Sequence, residues 1–496
     1  MGAADVDFND IQGLVRFGHG KLTEASFWLL NIRDASAARA WLASAPVTTA
    51  NELGGPPKTA LQVAFTCEGL QTLGLPDKIL AGFADEFLSG MTEESRSRRL
   101  GDVGASAPQY WRWGGPGKVP HALVMLYAQP GQLAGWTQTI KSAHWDSAFQ
   151  VLDCLLTSNL ENIEPFGFAD GISQPTLDWE RRRSVQGDQL AYSNLVALGE
   201  FLLGYPNEYG KYTDRPLLDS TQPSSTLLSF AEDVTHRRDL GRNGTYLVLR
   251  QLQQDVRGFW RFLDEQANSD PHARQNFAEH MVGRRMNGDP LMPLNPQPIA
   301  GIDLTDAPQN QFTYDSDGAA TSCPYGAHIR RANPRNADLP SGSSGAIAKL
   351  LRTLGFGSKK FRNDIIASTR FHRVLRRGRE YGPGLSPEQA VADGPDTGEH
   401  GIYFICLAAN ISRQFEFVQN AWVMSTKFNA LTEESDPLLG NRQPVPGCSV
   451  VDAFSMPQET GVCRRIRGLP AFITVRGGAY FFLPSLSALR YLAGLG

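Results

Sequence analysis

At 496 residues the chain is too long for one ordinary core, and two domains are expected. With 41% apolar and 20% charged residues it has the composition of a soluble globular protein, and a net charge of −4 gives no general attraction to nucleic acid or an anionic membrane. Six scattered cysteines (Cys67, Cys154, Cys323, Cys406, Cys448, Cys463) include no C-x-x-C pair, which argues against a zinc knuckle, an iron–sulfur cluster and a disulfide scaffold. No basic, apolar leader opens the sequence, Val6 breaks the myristoylation pattern, and no apolar run reaches a membrane-spanning length. The expectation is a cytoplasmic, reduced protein.

The first third alternates strands with short helices. "ASFWLLNI" (25–32) reads as a strand, followed by Asp34 as a helix N-cap and the helical "SAARAWLA". "ALQVAFT" (60–66) and "HALVMLYA" (121–128) are further strands, trailed by the helical "CEGLQTLG" and "PGQLAGW". A polar stretch over 210–243 separates this part from the next, where the rhythm restarts. Asn243-Gly244 turns into the strand "TYLVLR", and the next helix carries Val256, Phe259, Trp260 and Leu263 on one face. "GIYFICL" is a strand and "ISRQFEFVQNAW" a helix. The Gly-Gly of "FITVRGGAYFFL" (472–483) predicts a hairpin, and "SLSALRYL" a closing helix. Two halves of similar rhythm predict an α+β fold built as a duplicated, ferredoxin-like sandwich, divided into residues 1–215 and 216–496. Residues 336–364 begin flexible and end basic, and read as a surface insertion, with a lid as the functional alternative.

Three stretches carry residues suited to chemistry. In "EPFGFADGISQP" (164–175) Asp170 stands between Gly167 and Gly171. Asp-Gly is a common hairpin turn, but the flanks do not alternate cleanly, so a turn and a functional carboxylate both stay open. In "SCPYGAHIRRANPR" (322–335) His328 keeps company with Arg330, Arg331 and Arg335. An imidazole beside three guanidiniums fits an axial haem ligand with arginines neutralising the propionates; a structural histidine in a basic loop is the alternative. Cys323 could supply a thiolate ligand, but no thiolate-cradling loop surrounds it, and it reads as a buried small apolar residue. In "FHRVLRRGREYGPG" (371–384) strand alternation puts Val374 and Arg376 on one face and Leu375 and Arg377 on the other. One arginine then reaches a buried site while its neighbour stays in solvent; a solvated strand end is equally open. "GISQP" lacks the closing glycine of a nucleophile elbow, and Val119 spoils "GGPGKVP" as a phosphate loop.

Taken together and in order, these stretches resemble the dye-decolorizing peroxidases, a haem peroxidase family. "GFADG" matches the family's G-x-x-D-G signature, "CPYGAHIRRANPR" its proximal-histidine segment and "HRVLRRGREYGP" its distal-arginine segment. "DFNDIQGLVRFGHGKLTEASFWLLNI", "FEFVQNAW" and "GGAYFFLPSLSAL" extend the likeness over nearly the whole chain. The resemblance implies two ferredoxin-like domains, each an antiparallel sheet with packed helices, and haem b held mainly by the second. It implies His328 as iron ligand, Asp170 as distal acid–base residue, and Arg376 as distal arginine. It further implies Ile402 and Phe404 as apolar lining, Asp436 as partner of the proximal imidazole, and Arg330 and Arg335 beside the propionates. The implied activity reduces hydrogen peroxide and oxidises dyes, phenols or other bulky donors through an oxyferryl porphyrin radical. Electrons would arrive through surface Trp or Tyr residues, and nothing in the sequence selects among them. A haem-binding or haem-handling protein with little turnover would share His328 and the arginines but would not need Asp170 paired with Arg376. The long spacer between His328 and Arg376 looks like the family's longer bacterial branch. No nucleic acid or membrane partner is expected, and no oligomeric state follows.

Overall fold

The computed structural model describes residues 5–52, 55–141, 144–181, 194–293, 308–314, 316–335, 369–394, 398–446, 449–458 and 460–495. The 336–364 insertion read from the sequence lies outside the described residues.

Two stretches of chain share a strand–helix–strand–strand–helix–strand order, the second with one edge strand broken into two short pieces that both pair with the same neighbour. The first consists of β1 (Glu24–Ile32), α1 (Ala35–Ser44), β2 (Thr59–Phe65), β3 (Ala122–Ala128), α2 (Leu133–Ile140) and β4 (Phe149–Leu156). The second consists of β5 (Thr245–Gln254), α3 (Val256–Gln266), β6 (Leu375–Arg376), β7 (Arg379–Tyr381), β8 (His400–Ala408), a wide-turned π-helical segment over 412–423, and β9 (Ile473–Leu483). Each half forms an antiparallel sheet with its first strand inside, in the orders β2-β3-β1-β4 and β6-β8-β5-β9, with β7 also on β8. That is the ferredoxin-like arrangement, made twice.

The two sheets meet edge to edge at Phe482 of β9 and Phe65 of β2, giving one nine-stranded sheet. Side chains cross this seam: Phe83 packs against Phe482 and Tyr246 with ring centroids 4.9 and 6.4 Å apart. Arg215, between the two stretches, donates to Asp239 Oδ2 across 2.6 Å.

Local chemistry explains the elements. Asp34 caps α1 by accepting from the Ala37 N–H, and Asp255 caps α3 by accepting from Gly258. The expected face of α3 is buried, with Val256, Phe259, Trp260 and Leu263 all at 0–1% exposure. The hairpin expected over 472–483 does not form. β9 is one continuous strand with a bulge between Val475 and Gly477. A Cβ on Gly477 would sit 2.4 Å from the Trp113 indole, so glycine is there to admit a ring and not to turn the chain. Among the described residues no helix is long and apolar enough to cross a membrane.

Candidate active site

The loop bearing Asp170 is held by a half-buried carboxylate just upstream. Glu164 accepts from the Phe166 and Phe168 N–H groups, each across 3.0 Å, and from Gln254 Nε2 of β5 across 2.8 Å. Burial pushes Glu164 up to about 7 against these three donors. Trp260 of α3 donates its indole N–H to the Phe166 carbonyl, and the Phe166 ring lies 4.5 Å from that of Phe259. Between these anchors Gly167 adopts φ +100°, which lets the loop bend and present Asp170. Among the described residues no strands pair on either side of Asp170-Gly171, so the hairpin alternative falls away.

Asp170 Oδ1 accepts from Arg376 Nη1 across 2.9 Å and from the Gly171 N–H across 2.6 Å. Burial alone would raise this carboxyl, but Arg376 and the Gly171 N–H outweigh it and hold Asp170 below the usual carboxylate range. Arg376 is fixed by β6 pairing with Cys406 of β8, by donation from Nη2 to the Ser173 carbonyl, and by Gln174 accepting its backbone N–H. The predicted alternation holds, with one correction. Arg377 points the other way but is half-buried: it donates to the carbonyls of Leu14 and Val15, each across 2.8 Å. It anchors the N-terminal segment instead of facing solvent, and burial pushes it down to about 10.

His328 opens a short helix, α4 (His328–Ala332). Its Nδ1–H donates to Asp436 Oδ2 across 2.9 Å, and Asp436 Oδ1 accepts from the Leu438 and Leu439 N–H groups. Asp436 is fully buried. Burial would raise its carboxyl, but His328 and the Leu439 N–H keep it below the usual range; the same contact outweighs burial at His328 and raises the imidazole. With Nδ1 occupied, Nε2 has no protein partner among the described residues.

These groups face one cavity of about 290 Å³. His328, Asp170, Arg376 and Glu164 line it, and Ile402, Phe404, Leu252, Phe415 and Leu438 give it apolar walls. Arg335 lines it too, while donating to the Asn310 and Phe312 carbonyls. Arg330, expected beside the propionates, does not reach it. Its guanidinium is spent on Asp317, 2.8 Å away, and lies between the rings of Tyr314 and Tyr325. In its place the cavity is lined by Arg284, a residue no sequence signal marked. Arg284 donates to the carbonyls of Gly288 and Gln309 and has no carboxylate at ion-pair distance among the described residues. Burial, with Arg335 and Arg376 nearby, pushes it down to about 10. Cys323 is buried away from the cavity, and burial pushes its thiol up to about 12, which removes the thiolate alternative.

The residues present fit haem. The cavity combines apolar walls for a porphyrin, an imidazole with a locked tautomer, and buried arginines whose charge suits carboxylates. No family model matches the chain. It is 28% identical to dye-decolorizing peroxidase msp1 of Mycetinis scorodonius, over 98% of this chain and 88% of that protein. It is 27% identical to dye-decolorizing peroxidase AauDyP1 of Auricularia auricula-judae, over 99% and 87%. A solved fungal DyP-type peroxidase from Auricularia auricula-judae superposes with a TM-score of 0.71 at 25% identity, covering 99% of this chain and 100% of that one. The DyP-type peroxidase of Anabaena sp. has the same fold, with a TM-score of 0.68. These relatives and solved structures, similar to the chain along nearly its whole length, are all dye-decolorizing peroxidases, a family of haem-dependent peroxidases whose cofactor the cavity residues fit.

Proposed function

We propose that the protein binds haem b through His328, reduces hydrogen peroxide with Asp170 and Arg376, and draws electrons from dyes, phenols or similar organic donors. The observation that carries this reading is the Asp170–Arg376 pair, which lines the same cavity as His328. A dye-decolorizing peroxidase of similar fold was solved in complex with 2,6-dimethoxyphenol, which supports phenols as donors.

Bound haem supplies an iron centre that takes peroxide and stores its two oxidising equivalents. The chain supplies the rest. Asp436 fixes the tautomer of His328 so that Nε2 presents its lone pair to the cavity. Oδ1 of Asp170 is engaged by Arg376 and Gly171, which leaves Oδ2 to accept a proton from one peroxide oxygen and return it to the other, so that water leaves. Because Asp170 is held ionised, that oxygen is a ready base at neutral and mildly acid pH. The Arg376 guanidinium favours negative charge as it develops on the departing oxygen. Arg284 and Arg335 neutralise the haem carboxylates, and Ile402 and Phe404 keep bulk water from the reacting oxygens.

The test is a haem-loaded preparation mixed with hydrogen peroxide and a phenol. Wild type should turn over the phenol. Asp170→Asn should retain haem yet react with peroxide at least about a hundred-fold more slowly, by the usual size of a general-base contribution. An Asp170→Asn protein as fast as wild type would remove this reading.

A further inference from the structure

Most buried arginines of this protein meet a carboxylate: Arg215 meets Asp239, Arg330 meets Asp317 and Arg370 meets Glu208. Arg331 and Arg442 do not. Arg331 is fully buried, and its guanidinium donates only to the main-chain carbonyls of Gly326, Trp422, Ser425 and Glu434. Arg442, half-buried, donates to the carbonyls of Asp436, Pro437 and Pro470 and to Ser435 Oγ. Cations withdrawn from water without a carboxylate to pair with are costly, so their placement calls for a reason.

Both converge on Asp436, the partner of the His328 imidazole. Arg442 Nη1 donates to the main-chain carbonyl of Asp436 itself across 2.8 Å. Asp436 is also the carboxylate that acts most strongly on each guanidinium, ahead of Glu434 for Arg331 and of Asp452 for Arg442. Burial pushes each arginine down to about 10, so both are cations at neutral pH. The backbone is bent to hold Arg442 there. Arg442 has φ +59°, a left-handed conformation that residues other than glycine rarely adopt, and a Cβ on Gly440 would lie 2.5 Å from Arg442 Nη1.

The carboxylate oxygens of Asp436 are engaged elsewhere, Oδ2 with His328 Nδ1 and Oδ1 with the Leu438 and Leu439 N–H groups. The pull of that carboxylate on the Nδ1 proton makes Nε2 a stronger donor, and positive charge beside the carboxylate weakens the pull. We propose that Arg442, together with Arg331, is a positioning residue that limits this pull. It thereby sets how strongly His328 donates to the haem iron and holds up the ferric/ferrous reduction potential. The proposal rests on the reading above that haem is bound through His328.

The test compares haem-loaded wild type, Arg442→Met and Arg442→Lys by redox titration and by the iron–imidazole stretch in the resonance Raman spectrum of the ferrous protein. Neither measurement needs turnover. Arg442→Met should favour the ferric form about tenfold, a potential lower by about 59 mV for one electron, and should raise the stretching frequency. Arg442→Lys keeps the charge without the forked geometry and should stay within about three-fold of wild type. In an Asp436→Asn background, adding Arg442→Met should leave the stretch where Asp436→Asn alone puts it. If Arg442→Met takes up no haem, Arg442→Gln takes its place. An unchanged potential in Arg442→Met, equal shifts in the Met and Lys variants, or an undiminished shift of the stretch in the Asp436→Asn background would each overturn the proposal. Haem-loaded wild type without an iron–imidazole stretch would overturn ligation by His328 and the proposal with it. Wild type that shows the stretch but never reacts with peroxide would contradict the peroxidase reading alone.

Discussion

Arg376 and Asp170 stand 206 residues apart in the chain and 2.9 Å apart in space, one on the edge strand of the second sheet and one on a loop that follows the first. The pair exists only because the two halves pack together, and it is the part of the site that a mere haem carrier would not need.

Replacing Arg376 by Leu should slow the reaction with peroxide about a hundred- to a thousand-fold, the loss of about 2.7–4 kcal/mol that a single oxyanion donor supplies. Haem content should stay near that of wild type. Arg377→Leu should behave differently, because Arg377 satisfies the Leu14 and Val15 carbonyls. It should lower stability by about 1–3 kcal/mol while leaving the peroxide rate within a few-fold. Stopped-flow mixing and thermal unfolding of the two variants separate these effects.

The pH dependence follows from Asp170. Its carboxyl is held below the usual carboxylate range, so the base form is complete at neutral pH and is lost only as pH falls through that lowered value. Peroxide reactivity should therefore persist into acid where a distal histidine, with an ordinary pKa near 6.5, would be protonated. A pH–rate profile of wild type should show no fall between roughly pH 7 and 5, a window lying above the usual aspartate value of about 3.9. A fall centred near 6.5 would assign the base to another group.

Glu164 positions the loop. Glu164→Ala leaves the Phe166 and Phe168 N–H groups without their acceptor, at a cost of about 2–4 kcal/mol for two buried donors. Thermal unfolding should show that loss, and the peroxide rate should fall as Asp170 loses its place. There is a pH signature as well. With a folded value of about 7 and an ordinary value near 4.3, Glu164 holds a proton in the folded state that the unfolded chain has released across that window. Its contribution to stability therefore declines as pH rises from about 4.3 to 7, and the decline should be missing in Glu164→Ala.

The legible parts of this protein were those that rest on local chemistry. Strand and helix rhythm showed the duplicated architecture, and the residue types around His328, Asp170 and Arg376 marked the chemistry. What escaped depends on partners far along the chain. Glu164 stood in plain view in its loop, but its role needs Gln254, 90 positions away. Arg330 and Arg284 exchanged places because a count of arginines cannot say which one meets Asp317 and which meets only carbonyls. Gly477-Gly478 imitates a hairpin turn until Trp113 of the other half lies on it.

Arg284 is accordingly expected to hold the cofactor. Arg284→Met should release haem about ten- to a hundred-fold more readily, the size of one or two charge-assisted hydrogen bonds. Arg330→Met should instead lower the unfolding temperature through the unpaired Asp317, with haem release within a few-fold of wild type. Transfer of haem to an excess of apomyoglobin measures the first, and a melting curve the second.

The most direct test is the absorption spectrum of the purified, haem-loaded protein before and after one equivalent of hydrogen peroxide. Wild type should show a ferric, histidine-ligated Soret band that shifts at once on adding peroxide and returns to rest with a phenol. The band should be lost in His328→Ala and kept but made unresponsive in Asp170→Asn. A band that survives His328→Ala and disappears in Cys323→Ser, or one that peroxide leaves unchanged in wild type, would contradict the haem-peroxidase reading.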